Sequence, residues 1–291
     1  MPRAARLARP LPAALAVVAI VVGGAAPVHA VTPDLTFGLR WEQGPFLGVE
    51  DAGLGEAYVL IEGAGEMSRL SLRVPYARID RTGLVTMASD APILLGAGGP
   101  GKPPWQETDA ESSASDLGDL MLRLENYIVR SGGGNRPALS FILDYKYGLA
   151  DEKKGLGTGE SDWGGGLEYV QPLGKVLQFL VTGLYHFMGS PEGVEFEDRL
   201  HLMGGFSIVG RRTVWRIVGE HVTPALEEVP VFDTVGVPTG ALFEVEDYRV
   251  VRGDFVYRSQ AGGSTRLYVL GGLNDSSPDI GFGLSFSSRG Q

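Results

Sequence analysis

The chain contains no cysteine, so neither a disulfide framework, a thiol nucleophile nor a thiolate metal site is available to it. Histidine is scarce: four occur, His29, His186, His201 and His221, and none sits in a His-Glu-x-x-His or comparable close pair, so no metal site is expected. Basic residues are in deficit, 25 against 35 acidic for a net charge of -10. No basic stripe is present to track a phosphate backbone, and a nucleic-acid partner is not expected. Beyond Ala30 no apolar run approaches the roughly 20 residues that a membrane-spanning helix needs. What the chain has in abundance is glycine, 43 residues, which disfavours long helices and suits turns and closely packed strands.

The one strongly apolar stretch is N-terminal. In "MPRAARLARPLPAALAVVAIVVGGAAPVHA" a basic start (Arg3, Arg6, Arg9) precedes an apolar core from Ala13 to Val22 and small residues at Val28 and Ala30, the pattern of a cleavable export signal. Residues 1–30 are therefore expected to be removed, leaving 31–291 as the mature protein. An exported chain without a spanning helix can reside in a membrane only as a closed β-barrel, the other structure that satisfies every backbone amide internally.

The glycine-rich run inside "SFILDYKYGLADEKKGLGTGESDWGGGLEYV" (140–170) has the look of a phosphate cradle, but its flanks exclude one. Phe141, Leu143, Tyr145 and Tyr147 alternate with Ser140, Asp144 and Lys146 before it, and Trp163, Leu167 and Tyr169 share a parity after it. That is strand, loop, strand, whereas phosphate binding needs a helix opening behind the glycines. Similar alternation recurs along the whole mature chain in segments close to the 9 to 11 residues or so of a tilted membrane strand. Twelve are counted, near 34–42, 54–62, 67–78, 117–130, the two flanks above, 176–188, 197–209, 212–222, 247–258, 264–273 and 279–287. The third is the cleanest, with Leu70, Leu72, Val74 and Tyr76 against Arg69, Ser71 and Arg73, while Asn126 breaks the phase of the fourth and marks a rim or a bulge there.

Connections alternate too. Short links such as "GAGE", "PLGK" and "GRR" alternate with longer connections, the longest being "RTGLVTMASDAPILLGAGGPGKPPWQETDAESSAS", the rhythm of an outer-membrane barrel with short periplasmic turns and longer external loops. The expected fold is all-β, an antiparallel transmembrane up-and-down barrel of twelve strands, with ten to fourteen compatible with the pattern. A soluble β-sandwich shares the alternation and is the competing architecture.

On that reading the polar parity faces a lumen. Its candidate lining is Arg73, Arg123, Glu125, Asp144, Lys146, Glu168, His186, Arg199, His201, Arg216, Glu220, Arg252, Asp254 and Arg258, with Arg266 beside them. Both signs occur, so an ion-paired, hydrogen-bonded interior is the leading expectation and a selectivity filter the alternative. The apolar "APILLGAG", with Ile93, Leu94 and Leu95, is a candidate gate within the longest connection. No nucleophile elbow accompanies the histidines. No catalytic residue or cofactor is assigned, and a lipid hydrolase remains the less favoured alternative to a channel or a purely structural barrel.

The segments "SLRVPYARI", "SDLGDLMLRLENYIV", the 140–170 run and the terminal "PDIGFGLSF" resemble the phenol meta-degradation pathway family of outer-membrane proteins. Where that family commonly carries a Lys-x-Pro-Thr-Gly-Asp run, this chain has Lys146, Tyr147, Gly148 and Ala150, and "SSRGQ" follows Phe286 in place of a terminal aromatic. The resemblance implies an outer-membrane β-barrel that takes up small hydrophobic or aromatic solutes. Its partners would be outer-membrane lipid, the outer-membrane assembly machinery and the solute itself.

Overall fold

The computed structural model describes residues 33–46, 50–81, 85–88, 91–94, 112–131, 135–150, 156–190, 196–225, 228–232, 238–244 and 246–288. The expected export signal and Leu95 lie outside them. In chain order the strands are β1 (Asp34–Phe46), β2 (Glu50–Ala64), β3 (Ser68–Arg81), β4 (Val85–Ala88), β5 (Ala91–Leu94), β6 (Ser112–Leu117), β7 (Leu120–Val129), β8 (Ala138–Tyr147) and β9 (Asp162–Leu173). There follow β10 (Leu177–Phe187), β11 (Arg199–Val209), β12 (Thr213–Val222), β13 (Glu228–Phe232), β14 (Pro238–Glu244), β15 (Tyr248–Arg258), β16 (Ser264–Gly272) and β17 (Ile280–Ser288).

Setting aside the hairpins β4–β5 and β13–β14, these strands form one antiparallel ring. β6 and β7 share a single place in it, β2 pairs with β3, and β1 pairs with both β2 and β17, so twelve strand positions close on themselves. Leu39 has Ala57 on one side and Leu284 on the other. A sandwich would divide the strands between two facing sheets; a single ring leaves no edge, and the sandwich alternative falls.

Alternation decides which face is which. On β1, Leu35, Phe37 and Leu39 point out while Thr36 and Gly38 are buried. Phe37, Leu39, Ile217, Val269 and Phe282 are each more than half exposed, a surface that water would not tolerate over a whole barrel but a bilayer would. Aromatic pairs mark both rims of this belt. Trp41–Phe282 (5.3 Å between ring centroids) and Trp163–Phe187 (4.9 Å) lie toward the long connections, and Phe179–Phe206 (5.5 Å) and Trp215–Phe255 (4.4 Å) toward the short turns. Amphipathic rings favour such interfacial positions. The chain is a transmembrane β-barrel of the outer-membrane type, and the outer membrane is its location.

The fourth position departs from simple alternation. β3 pairs with β7 from Ser68 to Arg73 and with β6 from Tyr76 to Arg81. Between Tyr76 and Leu72 there are three residues on β3, but between their partners Leu117 and Leu122 there are four. The extra residue at Gly118–Asp119 is a β-bulge, and it reverses parity: Ser115 and Leu117 face out before it, Leu122 and Leu124 after it. Asn126 stands exposed on the outer side near the short-turn rim, and the β7–β8 ladder slips between Tyr127 and Val129.

Strands also run further than their alternation suggests. β1 and β2 extend to Phe46 and from Glu50, and two of the long connections carry hairpins of their own, with Thr86 opposite Ile93 in one and Val229 opposite Phe243 in the other.

Candidate functional site

Inward-facing side chains enclose a cavity of about 590 Å³. Its wall runs from Glu62, Arg69 and Tyr127 near the short turns to Glu42, Asp162 and Tyr248 near the long connections. Arg73, Arg123, Glu125, Asp144, Lys146 and Glu168 stand on this wall, as do His186, Arg199, His201, Arg216, Glu220, Arg252 and Arg266. Asp254 is 3% exposed, covered by the arginines it binds. Arg258 ends β15 with an exposed side chain and is not part of the cavity wall. Of the gate candidates, Ile93 and Leu94 lie in β5.

The wall charges are organised by strand register. Arg123 of β7 faces Asp144 of β8 directly, and its Nε and Nη2 donate to the two carboxylate oxygens at 2.7 and 2.8 Å, with His186 Nε2 at 3.4 Å from the same carboxylate. A bidentate fork of this kind holds both partners in one geometry. On the other side of the barrel Arg252 lies 2.5 Å from Glu220 and 3.3 Å from Asp254, while Arg266 lies 2.6 Å from Asp254. His201 is 3.9 Å from Glu220. Arg73 pairs with Glu56 at 2.6 Å and Arg40 with Glu42 at 2.8 Å.

Toward the long connections one group is sealed from solvent. Lys146 Nζ lies 2.6 Å from Asp162 and 3.4 Å from Asp119 and donates to Thr158 Oγ1 at 3.1 Å. Asp119 Oδ1 in turn accepts the backbone N–H groups of Leu149 and Ala150, both at 2.9 Å, and Asp162 Oδ1 accepts that of Gly189 at 2.8 Å. The bulge that turns Asp119 inward thus ties the 148–161 connection to the wall, and the otherwise costly burial of three charges is compensated by mutual pairing and backbone donors.

Parity was enough to single out most of these residues, and it was equally available for Arg40 and Glu42, which share the polar side of β1 with Gly38. Tyrosines were harder to place. Tyr58 and Tyr268 line the cavity, each lying against a glycine directly opposite it, Gly38 and Gly283, where an added Cβ would collide with the ring. Arg73 sits 4.4 Å above the Tyr58 ring, and Arg252 and Arg266 sit 5.8 and 5.7 Å from that of Tyr268, within cation–π range. Such stacking depends on register, which the sequence does not state. The lumen as a whole offers fixed guanidinium and carboxylate groups beside aromatic faces, a lining suited to guiding a small solute.

A closed twelve-strand antiparallel barrel with an apolar outer belt and this charged, cavity-forming lumen has the architecture of outer-membrane channels. It superposes on the crystal structure of an outer membrane channel from Pseudomonas putida F1 with a TM-score of 0.63 and 13% identity, covering 90% of this chain and 96% of that one. The NanC porin follows at a TM-score of 0.50 and 6% identity, covering 88% and 98%. No protein-family model and no curated protein sequence matches the chain.

Proposed function

We propose that the protein is a passive outer-membrane channel for small solutes with a hydrophobic or aromatic body, delivered to the membrane by the cleavable signal in residues 1–30. The observation that carries this reading is a continuous cavity lined from Glu62 and Tyr127 at one end of the barrel to Asp162 and Tyr248 at the other. Most of its charges are paired along the wall, so the interior can remain wet without fixed charges closing it. The family resemblance in "SLRVPYARI" and the 140–170 run supports aromatic solutes, and the tyrosines among the wall residues, Tyr58, Tyr248 and Tyr268, give the lining an amphipathic character that suits them. The segment carrying Ile93, Leu94 and Leu95 is the proposed gate, and deletion of 91–97 should raise uptake of small apolar solutes while the barrel strands keep their own hydrogen-bond ladder.

The test is current through planar bilayers containing the purified, heat-modifiable barrel. Stepwise conductance, together with solute uptake by vesicles carrying the protein, is the expected result. A correctly folded barrel that passes neither ions nor solutes would leave a structural role in its place.

A further inference from the structure

One stretch of lumen wall carries an arginine that no carboxylate of the described residues contacts. Arg216 of β12, Asp254 of β15 and Tyr268 of β16 are successive partners on one rung of the sheet. Asp254 lies opposite Arg216 but is held by Arg252 and Arg266 instead, at 3.3 and 2.6 Å. Arg216 donates its Nε to Ser207 Oγ at 3.2 Å, and among the described residues no carboxylate lies within 4 Å of it; Asp254 and, more weakly, Glu168 attract it from farther away. Glu220 is engaged by Arg252 at 2.5 Å. Arg252 and Arg266 therefore hold the two nearest carboxylates in contact, whereas Arg216, on the cavity wall, has none in contact.

The next position on the rung is aromatic. One face of Tyr268 rests on Gly283, and its ring packs against the buried cluster of Val222, Tyr248, Val250 and Leu270. Two strand spacings, roughly 10 Å, separate the backbones of Arg216 and Tyr268.

We propose that this rung is a binding subsite for a small aromatic carboxylate. The inference rests on the channel reading only for the route by which the ligand arrives. The carboxylate takes the free donors of Arg216 in the planar geometry a guanidinium favours. A single guanidinium without a carboxylate in contact suits a monoanion. The ring then lies along Tyr268 and the Tyr248–Leu270 patch, where an aromatic body is favoured over a hydrated one. An ammonium on the same ring meets three arginines and is rejected.

The experiment is fluorine NMR of the detergent-solubilised barrel with 4-fluorobenzoate, 4-fluorobenzyl alcohol and 4-fluorobenzylammonium as probes. The acid is expected to bind at least roughly tenfold more tightly than the alcohol, the factor associated with one charge-assisted hydrogen bond, and the ammonium more weakly than either. R216Q should abolish the preference for the acid while retaining heat-modifiable migration. Equal binding of acid and alcohol to the wild-type barrel overturns the proposal, as does a folded R216Q barrel that keeps the full preference. If R216Q fails to assemble, the order of affinity of the three probes on the wild-type barrel decides the matter. Channel function is read separately by bilayer conductance: its absence would remove the channel reading and leave the binding result standing, whereas conductance without acid selectivity in binding removes the subsite alone.

Discussion

Lys146 Nζ lies 2.6 Å from Asp162 Oδ2, and both side chains are 2% exposed. Replacing the lysine with an apolar side chain of similar length leaves two carboxylates, Asp119 and Asp162, buried without their cation. K146M is therefore expected to cost about 3–5 kcal/mol. The combined exchange K146M/D119N/D162N should recover most of that. The urea midpoint of the heat-modifiable form reads both, and a K146M barrel as stable as the wild type would show that solvent reaches the group.

Leu72 and Ser71 are neighbours on β3 with opposite surroundings. Leu72 faces outward opposite Leu122, and Ser71 lines the cavity. L72R should cost roughly 2–4 kcal/mol if it lies near the bilayer midplane. S71R places its charge in the lumen and should assemble with nearly normal yield. Equal yields for the two variants would overturn the assignment of faces.

Gly283 carries the ring of Tyr268, whereas at Gly253 an added Cβ meets nothing within 4 Å. G283A should displace the ring, at about 1–3 kcal/mol for overpacking, and weaken retention of aromatic solutes. G253A should behave like the wild type in both respects. Unfolding midpoints and solute-block measurements on the pair test this directly.

The orientation of the barrel is accessible from outside the cell. With the short turns periplasmic, a protease site placed within 98–104 should be cut on intact cells, and one within 131–137 should be protected until the outer membrane is breached. The reverse pattern inverts the topology.

How far the sequence could be read differs from strand to strand for identifiable reasons. β3, β10 and β11 carry clean alternation because one face meets lipid and the other a polar lumen, so side and hydrophobicity coincide. Parity specifies the side on which a residue lies but not its height or its partner. Arg258 shares the inward parity of Arg252 and Asp254, yet its position at the end of β15 carries it past the cavity wall. The Arg123–Asp144 fork, the sharing of Asp254 and the seating of Tyr58 and Tyr268 on glycines are facts of register, fixed by pairings between strands. The hairpins β4–β5 and β13–β14 were hidden because strands of four to seven residues are too short to establish a period against turn-rich surroundings.

The bulge at Gly118–Asp119 makes the chain's tolerance of length changes uneven. Within an unbroken strand, losing one residue exchanges lipid-facing and lumen-facing side chains from that point to the next turn. Here the frame already shifts by one, so deleting a residue at the bulge restores a uniform alternation in the fourth position and leaves the lipid-facing and lumen-facing side chains on both flanks where they are. Leu117 can keep its place opposite Tyr76 and Leu122 its place opposite Leu72, with three residues between them on each strand; what goes with Asp119 is the carboxylate that accepts from Leu149 and Ala150 and lies 3.4 Å from Lys146. The bulge is thus a point where losing one residue spares both faces, and the cost there falls on the buried carboxylate it presents rather than on the frame.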